Sequence, residues 1–165
     1  MPEKETLERA QEDAREGKSP STQAGEFVKE EMDHIREGKH GAANTKQAIA
    51  IGLSKARRAG VNLPPPKQGK TSASTRTKAE RDLRKGKSSA KKKTSAKRSR
   101  AISGALKREG HRAASRQSLS KQARESARSR GSASRKAAAR KAVRTKGPEG
   151  RKREAQKAAR TRARG

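Results

Sequence analysis

Residues 67–165 contain five large apolar side chains, Leu83, Ile102, Leu106, Leu119 and Val143, among 35 Lys/Arg and 6 acidic residues. Ninety-nine residues with so few core formers cannot bury enough apolar surface to offset ordering entropy. Any conventional core is therefore confined to the first 66 residues. The full net charge of +29 resides in the last 99, because residues 1–66 hold 11 basic and 11 acidic side chains. Cysteine is absent, which excludes disulfide staples and thiolate metal sites. The expected class is mostly α with extensive disorder: a short hairpin of two helices, then a long Lys/Arg/Ala/Ser-rich tail whose helices are transient or induced by binding.

Within the first 66 residues, the hairpin occupies 20–66. Ser19 or Ser21 is placed to cap a helix with Pro20 in its first turn. Ala24, Phe27, Val28, Met32 and Ile35 then recur on one helical arc, and Gly38 ends it. A GKHGAA connector leads to Asn44, a second cap, with Gln47 three residues on. The second arc is Ala48, Ile49, Gly52, Leu53, Ala56 and Ala59. Gly60–Val61 reads as a Schellman stop, and Pro64, Pro65 and Pro66 stiffen the exit. Around this module, 1–19 reads as an acidic polar arm, a marginal helix that is solvated or folded back on the tail. Residues 67–100 read as a disordered Lys/Ser/Thr-rich linker and 101–165 as an Arg/Ala-rich helix-prone tail.

Two hairpin residues do not fit a plain core. Glu31 projects into its arc between Phe27 and Ile35, where it sits at the rim or pairs with a cation. Ile51 lies off its arc beside Lys55 and Arg58. Glu31, Ile51, Lys55 and Arg58 are the candidate hairpin interface. A two-helix unit of this size is below what usually folds alone, which leaves a homodimer or a protein partner through 20–66 open.

The hairpin residues GEFVKEEMDHIREGKHG and KQAIAIGLSKARRAGV resemble a family of small basic bacterial proteins that share a short helical domain of uncharacterised function. Some of its members are labelled DNA-binding or plasmid stabilisation protein. The resemblance covers about 45 residues and implies no catalytic residues. The tail, through AKKKTSAKRSR and SRKAAARKAVRTK, resembles linker-histone and bacterial histone-H1-like tails in composition.

The tail sets the expected function. Lys and Arg neutralise phosphates and release condensed counterions without reading bases. The candidate contacts are Lys91, Lys92, Lys93, Lys97, Arg98, Arg100, Lys107, Arg108, Arg112, Arg116, Arg135, Lys136, Arg140, Lys141, Arg151, Lys152 and Arg153. Phe27 is the sole aromatic residue, so base-stacking platforms of single-strand readers are not expected. Duplex DNA bound without sequence preference is the expected partner, in a nucleoid-associated, histone-H1-like role. RNA or ribosome association is an alternative. So is an adaptor whose hairpin binds a DNA-maintenance or transcription protein.

No enzyme, cofactor or metal is expected. The GKT at Gly69–Thr71 lacks the first glycine of a P-loop, since Pro64 stands there. Glu31-x-x-His34 occurs once where di-iron chemistry needs two such pairs. His34, His40 and His111 are scattered in sequence. No secretory signal or bilayer-length apolar run is visible. The expected location is therefore cytoplasmic and nucleoid-associated, with no membrane partner.

Overall fold

A computed structural model describes residues 2–88 and 95–163. Among these the regular elements are helical: α1 (Lys4–Arg15), α2 (Pro20–Arg36), α3 (Thr45–Arg58), α4 (Ala73–Lys87), α5 (Ala96–Arg108), a 3-10 turn (His111–Ala114), α6 (Arg116–Ser129) and α7 (Gly131–Arg162). The chain divides into two compact units, residues 1–120 and 121–165.

The hairpin forms where its punctuation predicts. Ser19 accepts from the Thr22 amide, with Pro20 opening α2. Asn44 Oδ1 accepts from the Gln47 amide at 2.9 Å, and Gln47 Oε1 reaches back to the Ala43 amide at 2.8 Å. Gly38 and Gly60 take φ of 74° and 103°, the left-handed region that glycine enters without a Cβ penalty. The Val61 amide bonds the Ala56 carbonyl and the Gly60 amide that of Arg57, the paired bonds of a Schellman stop.

Helices α2 and α3 pack closely because Gly52 has no side chain. A Cβ there would lie 2.7 Å from Val28 Cα. Two apolar clusters result. The first joins Ala10, Ala24, Phe27, Ala56 and Val61, flanked by Leu7, Leu53 and Leu63. The second joins Met32, Ile35, Ala42, Ala48, Ala113 and Ala114, flanked by Val28, Ile49 and Leu119.

Those memberships overturn the expected class. Extensive disorder and a long tail of transient helices are not what the described residues form. Nor is the core confined to 20–66. Leu7 and Ala10 bring α1 onto α2, so the acidic arm is a docked helix that buries one face and leaves the other exposed. An Arg9–Glu26 ion pair at 2.9 Å joins the same two helices. From the basic half, Ala113, Ala114 and Leu119 complete the second cluster. Thr45 Oγ1 donates to the Ala113 carbonyl at 2.7 Å, and Arg36 Nε donates to that of Ala114 at 3.1 Å. The connector after α2 is held likewise, with the Gly41 amide donating to the Leu106 carbonyl at 2.8 Å. A Cβ on Gly41 would collide with the Glu109 carbonyl.

Most of the presumed linker is also structured. Ser72 caps α4, and Arg76 pairs with Glu80 one turn on. Ala79 is buried, and Gly86 lets the helix end close against Arg57. Asp82 accepts from Ser54 at 2.5 Å and lies 3.7 Å from Arg58 Nε. The physical reason for the error is that a hydrophobicity threshold counts large side chains. Here alanines and glycines allow close backbone approach, and polar contacts bind the basic segment to the hairpin.

In the second unit, α6 continues past residue 120 and α7 follows. Their sequence is mostly Ala, Arg, Lys and Gln, residues of high helix propensity. Gly147, at φ 62° and followed by Pro148, breaks α7 into two stretches. A residue before proline is excluded from the helical region, and Gly147 resolves the clash by a conformation closed to other residues. No helix among the described residues is long and apolar enough to cross a membrane.

Candidate functional site

Helix α2 places Glu30, Glu31 and His34 within one turn of one another. The GKHG connector returns His40 to the same place. The Glu31 side chain is fully buried. Its Oε2 lies 2.7 Å from Lys55 Nζ of α3, and its Oε1 lies 3.4 Å from His40 Nε2. Neither oxygen receives an aligned hydrogen bond. Lys55 also donates to Glu30 Oε1 at 3.3 Å. The Glu30 carboxylate is completed by the Glu3 backbone amide at 3.2 Å.

Glu3, just before α1, lies over the cluster. Its Oε1 is 2.8 Å from His34 Nε2 and 3.1 Å from Lys39 Nζ. The His34 hydrogen bond, then Lys39, holds the Glu3 carboxyl below its ordinary range. Glu37 and then Glu3 push the Lys39 ammonium upward. His40 Nδ1 faces the Gly41 carbonyl at 3.1 Å. One ligating atom each of Glu31, His34 and His40 lies within 4.8 Å of the others. An open cleft of about 190 Å³ reaches this cluster from solvent, with Glu3, Glu30, His34 and Lys39 among its walls.

The four hairpin candidates therefore take different positions. Glu31 is not at the rim; it pairs with Lys55 inside the first unit. Ile51 is half-buried. Arg58 is exposed and turns back on Ser54, donating to its carbonyl at 3.2 Å and its hydroxyl at 3.1 Å. Arg57, absent from the candidates, is buried and donates to the Leu63 and Pro64 carbonyls at 3.1 and 3.3 Å. It orders the proline exit, and burial lowers its pKa, partly offset by Asp82. Sequence reading also missed His40 beside Glu31. Its only signal was the two flanking glycines of a connector that folds back.

The basic candidates are arranged differently. Lys97, Arg98, Arg100, Lys107, Arg108, Arg112 and Arg116 in the first unit are all exposed. Arg135, Lys136, Arg140, Lys141, Arg151, Lys152 and Arg153 in the second are exposed too. Lys91, Lys92 and Lys93 lie outside the described residues. The interhelical ion pairs of the first unit draw on residues between Glu3 and Asp82, leaving these candidates out of its framework. His111, the third histidine, is exposed, and its ring reaches toward Gly38.

Residues 17–68 match a family of unknown function, DUF6496. The matched segment is the hairpin with its proline exit, a short helical domain of uncharacterised function. No curated protein and no solved structure matches the chain.

Proposed function

We propose that the chain binds duplex DNA without sequence preference, through phosphate neutralisation by the basic residues beyond 66, in a nucleoid-associated, histone-H1-like role. The observation that carries this reading is the exposure of all fourteen described candidate cations in a segment with 35 Lys/Arg and 6 acids. Six acids cannot compensate that charge internally, so a polyanion is its chemical complement. Neutralising the net +29 would take roughly 29 phosphates, about 15 base pairs of duplex. Serine and threonine hydroxyls add phosphate hydrogen bonds but no base readout.

The test is a salt-titrated mobility shift of the full chain on a duplex of ~30 base pairs. About ten phosphate contacts give a log–log salt slope near −9. Replacing Arg135, Lys136, Arg140, Lys141, Arg151, Lys152 and Arg153 by Gln should flatten that slope by up to ~6, at ~0.9 per lost contact. Absence of a shift at low salt would overturn the reading. So would a slope unchanged in the seven-site variant, or structured RNA displacing the duplex at equal phosphate concentration.

A further inference from the structure

We infer that Glu31, His34 and His40 form a binding site for a divalent transition-metal ion of the zinc class, with Glu3 and the Gly41 carbonyl orienting the two imidazoles. The inference is independent of the DNA-binding reading.

Donor chemistry comes first. One carboxylate and two imidazoles are a common set for zinc, which takes nitrogen and oxygen donors at ~2.0–2.2 Å in tetrahedral geometry. Two donors on such an ion are separated by roughly 3.3 Å, the edge of that tetrahedron. Glu31 Oε1 and His40 Nε2 are 3.4 Å apart. The third donor closes the group, all three ligating atoms lying within 4.8 Å of one another.

Tautomers follow from the outer partners. The Gly41 carbonyl can only accept, so the 3.1 Å contact puts the proton of His40 on Nδ1. The neutral ring then turns a bare Nε2 lone pair toward the bare Glu31 Oε1. Two lone pairs at that distance repel unless a cation lies between them. The Glu3 carboxylate likewise accepts from His34 Nε2–H at 2.8 Å, which leaves Nδ1, 3.9 Å from Glu30 Oε1, as the bare nitrogen. A ligating histidine characteristically donates its other N–H to a carboxylate or backbone carbonyl. Both histidines here have such a partner.

The buried carboxylate is the independent observation. Glu31 is wholly withdrawn from water, and beyond the Lys55 ion pair at 2.7 Å no aligned hydrogen bond reaches either oxygen, a state that is costly for a carboxylate. Lys55 compensates part of its charge through Oε2, and also holds Glu30 Oε1 at 3.3 Å. It can keep Glu30 when an ion takes Glu31. The cleft touches the group through His34, which is among its walls. An ion at this point would tie the last turn of α2 to the connector that leads into α3.

The full-length chain, stripped with chelator, should bind one Zn²⁺ per molecule by calorimetry, and its Tm should rise with zinc concentration. Bound Co²⁺ should show the intense visible bands of tetrahedral coordination. His40→Gln should weaken zinc binding by at least about 100-fold, the upper end of what loss of an outer-shell partner costs, whereas His111→Gln should leave it unchanged. Equal zinc affinity in wild type and His40→Gln would overturn the inference. Lack of one-to-one binding would also do so, as would a Co²⁺ spectrum without tetrahedral bands. The Co²⁺ spectrum of the wild type decides the matter even if His40→Gln fails to fold. An imidazolium proton between His40 and Glu31 is the competing occupant, and it predicts no zinc response.

Discussion

Phe27 and Glu31 lie one helical turn apart on α2, and both are completely buried. They reach that state by opposite routes. Phe27 is in the cluster that collects Ala10, Ala24, Ala56 and Val61, so its apolar area drives the packing. Glu31 is held by Lys55 from the facing helix. Its burial follows from the close approach of α2 to α3 rather than from its own preference. Phe27→Ala should cost about 3–5 kcal/mol, read as a lower midpoint in urea unfolding, because small neighbours cannot collapse into the space. Gly25 lies on the exposed side of α2, where a Cβ would meet nothing within 4 Å. Gly25→Ala should therefore raise stability by about 0.5–1 kcal/mol in the same assay, by reducing the freedom of the unfolded chain.

At the scale of elements, the docking of α4 on α3 separates composition from structure. Residues 67–100 have the Lys/Ser/Thr-rich composition of a solvated linker, yet residues 73–87 fold back on the hairpin. Ser72 provides the cap, Arg76–Glu80 supports one turn, and Asp82 reaches Ser54. Gly86 makes the final approach possible, since any Cβ there would run into the Arg57 carbonyl. Gly86→Ala should lift the end of α4 from α3. In hydrogen exchange, protection across 73–87 should fall while protection in α2 and α3 is kept. Equal loss in all three helices would mean that α4 is integral to one cooperative core.

For the molecule as a whole, the division between a folded hairpin and a basic tail does not survive. The first unit runs to residue 120 because Ala113, Ala114 and Leu119 close the cluster around Met32 and Ile35. A chain ending at residue 88 should therefore be less stable than one ending at 120. The difference is on the order of 2–4 kcal/mol, the range for emptying a comparable apolar site, and is measurable as a Tm difference by circular dichroism. Equal melting would show that residues 89–120 contribute nothing to the core. Charge follows a similar division: acidic and basic groups are paired in the framework between Glu3 and Asp82, whereas the exposed candidate cations lie from Lys97 onward.

Local signals in the sequence determined the helices of the hairpin, their caps, their glycine stops and the face that carries Phe27, Met32 and Ile35. These depend on contacts within a few residues, which a linear pattern encodes directly. The excess of cations beyond residue 66 was equally plain, since charge adds without reference to shape. The tertiary structure alone decided three things. It brought Leu7 and Ala10 onto α2, it carried Ala113, Ala114 and Leu119 into the core, and it set His40 beside Glu31 and His34. The first two rest on alanines and leucines meeting across long separations, and the third on a connector in which Gly41 admits the Glu109 carbonyl where a Cβ would collide; no periodicity announces such partners.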